Sequence, residues 1–262
     1  MDGSPQANQG YIGKITKTNN AIGTIAVFND VIRDGLKGSV FQTTSKGYIS
    51  GEGSANASKV RFGISGGSLS GFGWKVPDSM VINYMSAHDN HSLWDKLALS
   101  NSADTPETRA EMNRLGAAVL MISRGTPFFQ AGEEMLRSKD GNENSYNASD
   151  AVNNIRWELL RADSDEYRTM LYYKGLIDMR KAHDILRKGD VSFADLGNGR
   201  LEIRFGDGAL AVINPADTAF AYTLDGEWHL VADENTAGAE TIAVEQGEVQ
   251  VSPRSVRIYV KK

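Results

Sequence analysis

Four consecutive polar residues, His88, Asp89, Asn90 and His91, hold the densest chemistry in this chain. An imidazole, a carboxylate and an amide held together can orient a polyol and set negative charge beside a developing cation. The same residues could instead close a strand-end turn in which Asp89 and Asn90 satisfy backbone groups. A metal site on His88, Asp89 and His91 needs a further ligand from afar, and only His183 and His229 remain as histidines. Glu133-Glu134, after Gly132, is a second candidate. It could be an acid/base pair, or two carboxylates that favour the positive end of a helix. Neighbours at a helix start point in different directions, which weakens the pair reading. The amide- and hydroxyl-rich stretch 142–154 suits sugar hydroxyls, which need paired donors and acceptors, and equally suits an ordinary polar loop.

Weaker signals lie beside these. Residues 140–144 open like a calcium loop, but Ser145 stands where Gly is required and Ala151 where the bidentate Glu belongs. Asn29-Asp30 with Arg33-Asp34 reads as a strand-end site or as a local ion pair. Trp74, Trp94 and Trp157 could stack on sugar rings or fill core.

These groups need elements to position them. Residues 24–28 and 81–85 are short apolar, β-branched runs that read as buried strands, and 126–131 reads as a third. Each ends in polar residues, and a strand that delivers charged groups at its C-terminal end is how barrel-type α/β enzymes build sites. Helices are predicted over about 31–37, 55–61 and 92–99, the last with Ser92 as cap. The clearest helix is 104–124. Asp104 or Thr105 caps it, Pro106 suits its first position, and Met112, Leu115, Val119 and Ile122 define one buried face. Ser164 caps another helix to about residue 181, with Met170, Tyr173 and Ile177 on one face. Residues 43–79 read as a long loop, and 1–23 as loop-like. After Gly189 the pattern becomes short alternating runs. Gly197-Asn198-Gly199 and Gly206-Asp207-Gly208 mark hairpins. About seven or eight strands in roughly 75 residues suggest an antiparallel sandwich. The boundary falls near 185–190, giving segments 1–187 and 188–262.

Composition bounds the function. The 262 residues carry a net charge of −5 with no basic block, so a nucleic-acid partner is not expected. No apolar run approaches a membrane span. Cysteine is absent, which excludes disulfides, thiolate metal sites and a cysteine nucleophile. Nothing here sets the compartment.

Together the segments resemble type I pullulanases, of the α-amylase superfamily of glycoside hydrolases. The matching pieces are Val27-Phe28-Asn29-Asp30 with 33–41, then Asn83-Tyr84-Met85-Ser86-Ala87-His88-Asp89-Asn90 with Leu93-Trp94-Asp95. The last is 125–134 with Arg137, Lys139, Asn144-Ser145-Tyr146-Asn147, Asp150 and Asn153. The resemblance implies the last three strand-helix units of a (β/α)8 barrel followed by a C-terminal β-sandwich. The implied activity is retaining cleavage of α-1,6 links in pullulan, starch or glycogen. It implies that Asp89 stabilises the transition state and His88 positions the sugar. Substrate contacts are then expected from Asn90, Arg137, Asn144, Tyr146, Asp150 and Asn153. No cofactor or metal is implied for the chemistry, and a structural calcium is left open.

The family's nucleophile lies in a Gly-Phe-Arg-Phe-Asp-like segment and its acid in a Gly-Glu-Pro-Trp-like one, both before the Phe-Asn-Asp element. Only about 27 residues precede that element here, and neither motif is present. Arg61-Phe62-Gly63 lacks the Asp, and Gly51-Glu52-Gly53 follows no strand. The expectation is therefore a piece of such an enzyme, inactive alone, whose partner is the missing N-terminal part of the barrel. A non-catalytic glucan-binding module is the alternative. Open sheet edges predict a homo-oligomer, or disorder near residues 1–60.

Overall fold

The computed structural model describes residues 26–72 and 77–262. The expectations for 1–25 and for Trp74 lie outside the described residues. A three-stranded parallel sheet holds β1 (Val27–Phe28), β2 (Val81–Tyr84) and β3 (Thr126–Phe128) in that order. Helices α1 (Asp30–Lys37), α2 (Gly53–Ile64), α3 (Leu93–Ser100) and α4 (Pro106–Ile122) lie between and behind the strands. A short α5 (Asp150–Asn153), the long α6 (Asp165–Ala182) and α7 (Ile185–Lys188) follow. The caps form as the residues dictate. Ser92, Thr105 and Ser164 accept from the backbone N–H groups of Asp95, Thr108 and Tyr167, and Asn29 accepts from Ile32. Residues 26–60, expected to contain disorder, include β1, α1 and the start of α2.

The register puts Val27, Val81 and Asn83 on one sheet face and Phe28, Ile82, Tyr84, Thr126 and Phe128 on the other. The first face is covered: Val27 and Val81 pack on Phe62 of α2. Among the described residues no helix covers the second, and Phe28 and Phe128 are 47% and 37% exposed. So β3, expected to be buried, is largely exposed. Of the run expected as a strand over 126–131 only Thr126–Phe128 is one, and no described element covers its front.

Helix α4 departs further from expectation. Not one face but nearly the whole surface from Ala110 to Ile122 is buried. It sits between the parallel-sheet half and the sheet that follows, so Met112, Leu115 and Ile122 share a core with Val256 and Ile258. In α6 the buried face is Thr169, Tyr172, Tyr173, Leu176, Met179 and Arg180, while Met170 and Ile177 flank it.

The C-terminal strands are β4 (Val191–Asp195), β5 (Leu201–Phe205), β6 (Ala209–Asn214), β7 (Phe220–Ala232), β8 (Ala243–Val251) and β9 (Ser255–Val260). They form one antiparallel sheet in the order β4-β5-β6-β9-β7-β8, six strands rather than seven or eight. Strand β7 alone runs for 13 residues. It pairs with β9 only from His229 to Ala232, and a bulge separates that part from its first half. The first half instead crosses the far face. Tyr222 donates to Glu202 of β5 at 2.6 Å, and Arg204 of β5 pairs with Asp225 at 2.9 Å. In a flat sheet β7 and β5 stand about 14 Å apart, three strand spacings. The sheet is therefore rolled, closing on Leu210, Val212, Trp228, Leu230 and Tyr259.

One side chain ends α4. The Arg180 guanidinium, on α6, donates to the carbonyls of Met121 (2.6 Å), Ser123 (2.9 Å) and Gly125 (2.8 Å). These are the orphan acceptors of a helix end and the turn into β3. Burial pushes Arg180 down to about 10, so it stays charged at neutral pH. Removing it leaves three carbonyls without their shared donor. Arg180→Ala is expected to cost roughly 2–4 kcal/mol in urea unfolding, and Arg180→Lys clearly less. A loss within about 0.5 kcal/mol, the range of an ordinary surface substitution, would contradict this assignment.

Candidate functional site

Because the three strands are parallel, their C-terminal ends share one edge. Asn29-Asp30, Ser86 to His91, and Gly132 to Glu134 all emerge there. Asn29 is buried and donates to Asn83 at 2.8 Å, and Asn83 donates to the carbonyl of Arg124 at 2.8 Å. This amide chain links the end of β1 to the interior of β2 and to the turn that leads into β3. Asp30 accepts from the Tyr84 hydroxyl at 2.5 Å, which accepts in turn from Arg33 at 2.8 Å. Arg33 also pairs with Asp30 (3.1 Å) and Asp34 (2.7 Å). Thus Asn29-Asp30 and Arg33-Asp34 are at once a strand-end cluster and a local ion-pair network. Burial and the bond to Asp30 hold the Tyr84 phenol well above its ordinary value.

His88 and Asp89 crown β2. Their side chains lie 3.5 Å apart and are 86% and 82% exposed. Asn90 takes a left-handed conformation (φ 65°), which Asn tolerates better than most residues, and turns the loop away from the strand. His91 does not join them. It is buried, with its ring 4.0 Å from Glu143. Among the described residues no three His, Asp or Glu side chains converge as a metal would require.

Glu133 and Glu134 are not an acid/base pair. The Glu134 carboxylate accepts from the backbone N–H of Gly132 at 2.8 Å. Glu133 turns inward, under the loop. It accepts from the Ser86 hydroxyl, and the Tyr173 hydroxyl shares its one proton between Asn113 at 2.9 Å and Glu133 at 3.3 Å. One buried carboxylate therefore pins the His88-Asp89 loop, through Ser86, to helices α4 and α6. Burial pushes Glu133 up to about 7, against the pull of Ser86 and of Lys37. Lys37, buried on α1, is pushed down to about 8 by the same desolvation. Sequence reading missed Glu133's role. Its signal was an acidic residue beside the apolar run of β3, but nothing local says which of two adjacent carboxylates turns in.

The 137–153 loop packs beside this edge. Asp95 accepts from the Ser138 hydroxyl (2.6 Å) and the Lys139 N–H (2.8 Å), and Lys139 donates to Ser145 at 2.7 Å. Burial and the neighbouring Arg137 lower Lys139, and Asp95 and Asp89 oppose that shift. Two of the expected contact residues are occupied by the loop itself. Asn153 donates to the carbonyl of Ser145 at 2.6 Å, and Arg137 donates to the carbonyls of Asn153 and, at 3.0 Å, Ala131. Asn144, Asp150 and Tyr146 face solvent, Tyr146 at 82% exposure. Trp94 lies partly buried under the Arg109 guanidinium, 5.4 Å from its ring centre, while Trp157 is exposed. Trp94, Arg137 and Arg156 line a cavity of about 160 Å³.

The aromatic front of the sheet was not foreseen as a feature. Phe28, Tyr84 and Phe128, one from each strand, meet edge-on with centroids 5.0, 5.4 and 6.4 Å apart. Arg61-Phe62-Gly63 lies within α2, and Glu52 just before that helix, so neither stands at a strand end.

No family model matches the chain. It is 37% identical over 169 residues to a pullulanase of Bacillus subtilis (strain 168), a match covering 62% of this chain and 22% of that relative. The pullulanase structure from Bacillus acidopullulyticus superposes with TM-score 0.82 at 33% identity, covering 90% of this chain and 30% of the other. The pullulanase of Anoxybacillus sp. LM18-11, complexed with maltotetraose, gives TM-score 0.77 at 27% identity, covering 91% and 35%. The chain thus spans less than a quarter of the curated relative's length and about a third of the solved ones.

The Glu133 anchor has a pH signature. Its folded value is raised from 4.5 to about 7, so the folded state holds a proton that the unfolded chain releases between those values. That contribution is fully present below about pH 4.5 and is lost as pH rises through 7, a swing of roughly 3 kcal/mol. Glu133→Gln cannot ionise. The difference in thermal midpoint between the two proteins should therefore shift in favour of the variant from pH 5 to pH 8. A pH-independent difference would show that Glu133 is not the titrating group.

Proposed function

We propose that this chain, a homologue of the pullulanases, carries the substrate-facing C-terminal part of an α-1,6-glucan-hydrolysing glycosidase. In this reading residues 1–187 are the end of a (β/α)8 barrel and 188–262 a C-terminal sandwich. One observation carries the functional assignment. His88 and Asp89 stand exposed together at the C-terminal edge of a parallel sheet, on a loop held from below by Ser86 and Glu133. That edge is where barrel enzymes place their chemistry.

A retaining glycosidase works with a nucleophile and a general acid about 5–5.5 Å apart around an oxocarbenium-like transition state. Asp89 does not serve either role alone. Its exposed carboxylate sets negative charge beside the cationic sugar, and His88 orients a hydroxyl of the same ring. Asn90, Asn144, Tyr146 and Asp150 complete the rim that meets the glucan. Arg137 and Asn153 act one step back, by shaping the loop that presents Tyr146. The two missing carboxylates come from barrel strands outside this chain. The uncovered front with Phe28 and Phe128 supports that partner, because the first half of a closed barrel covers the corresponding face. It supports a homo-oligomer less well, since the edge strands β1 and β3 offer only two and three residues for pairing.

The purified chain should release no reducing ends from pullulan, and should gain activity when a polypeptide with the preceding barrel strands is supplied. In that reconstituted enzyme Asp89→Asn should lower kcat by about 10²-fold or more, with a smaller effect on KM. Turnover by the chain alone would overturn the assignment of the missing carboxylates. Glucan binding that is complete without a partner, and lost in Tyr146→Ala, would favour a non-catalytic binding module instead.

A further inference from the structure

Away from the strand-end edge, two cavities open along the seam between the helical half and the rolled sheet. The first, about 270 Å³, lies between α4, Tyr172 of α6 and the loops 233–236 and 252–255. The second, about 200 Å³, lies between Lys46, the 101–104 turn and the 215–217 turn. They meet at Arg254, which lines both. Arg254 holds a left-handed conformation (φ 47°) that is costly for a non-glycine residue, and its N–H donates to the carbonyl of Ala216 at 3.0 Å. That strained turn thrusts its guanidinium into the seam, where its nearest carboxylate, on Glu111, is 3.9 Å away.

Arg254 is shared by the two linings, so Lys46, Arg114 and Arg254 together face four carboxylates, on Asp104, Glu111, Asp217 and Glu234. The seam therefore carries one excess negative charge, which disfavours an anionic ligand and holds a cation only weakly. What it offers is unspent hydrogen-bonding capacity of both kinds. Arg114 has five N–H donors and makes one long bond, 3.4 Å to Thr169. The Arg254–Glu111 pair is too long for a good hydrogen bond. A ligand that donates and accepts at every position, and carries no charge, answers such a lining: a polyhydroxylated one.

We infer that this two-lobed seam is a second carbohydrate-binding site, taking a neutral oligosaccharide of at least two sugar units that passes over Arg254. Two lobes joined at one side chain match a chain of rings better than a single ring. The lining has no exposed aromatic platform, so binding is weak and rests on hydroxyl contacts. The choice of an α-glucan as the sugar rests on the proposed function, and the site itself does not.

The test is backbone-amide NMR of the full chain titrated with maltotetraose, with glucose and glucose 6-phosphate as controls. Shifts are expected around Glu111, Ala216 and Arg254, at lower concentration for maltotetraose than for glucose. Arg254→Asn, which tolerates the left-handed turn, and Glu111→Gln should each weaken binding at the seam by about fivefold or more, the loss of one good hydrogen bond. Tyr146→Ala should leave those shifts unchanged. Absence of shifts at the seam overturns the inference, as does binding untouched by both seam variants. Preference for glucose 6-phosphate overturns the neutral-ligand assignment. Seam shifts without any shift near Asp89 would keep this site while counting against the rim as a glucan site.

Discussion

The structure depends on keeping most of one helix buried. From Ala110 to Ile122 nearly all of helix α4 is covered: one side packs against the elements behind the parallel sheet, the other against β9 and α6. A helix so enclosed cannot expose its terminal carbonyls to water, and an unsatisfied buried carbonyl costs free energy comparable to a lost hydrogen bond. Arg180 resolves this from outside the helix, by capping α4 and the turn into β3 together. The position of β3, and hence of the Gly132–Glu134 corner, follows from that cap.

From that corner Glu133 reaches under β2 and holds Ser86, and with it the loop carrying His88 and Asp89. A buried carboxylate that shares hydroxyl donors from two elements fixes geometry more than it adds stability. The exposed pair above it is thus mounted on a rigid support while remaining open to solvent. The 137–153 loop is handled alike. Its buried members Lys139 and Ser145, with Asp95 of α3, set its path, while Asn144, Tyr146 and Asp150 face solvent.

The second half adds a different kind of constraint. By rolling on itself the C-terminal sheet buries both faces, one on α4 and α6 and one on its own strands. The seam between that roll and the helices cannot close everywhere, because a curved sheet meets straight helices only along part of its length. The two cavities at Arg254 are where it fails to close, and their polar lining follows from the turns that end the strands.

Much was legible from the chain alone. Ser92, Thr105 with Pro106, and Ser164 announced three helix starts, because a cap is a contact between residues two or three apart. Gly197-Asn198-Gly199 and Gly206 announced hairpins for a similar reason, since left-handed turns demand particular residues. The cluster at 88–90 stood out because an acid, an imidazole and an amide directly follow a buried apolar run, and the structure places His88 and Asp89 in solvent. What the chain could not show was which side of each element would be covered. Periodicity gave α4 one buried face, and packing on two sides buried the rest. The run at 126–131 looked interior, yet its front stands open. Glu133 and Glu134 are indistinguishable as neighbours, and only the arrival of Ser86 and Tyr173 from distant positions selects Glu133 as the buried anchor. Local chemistry is set by neighbours along the chain, so sequence determines it. Burial and polar pairing are set by residues tens of positions apart, so only the tertiary structure decides them.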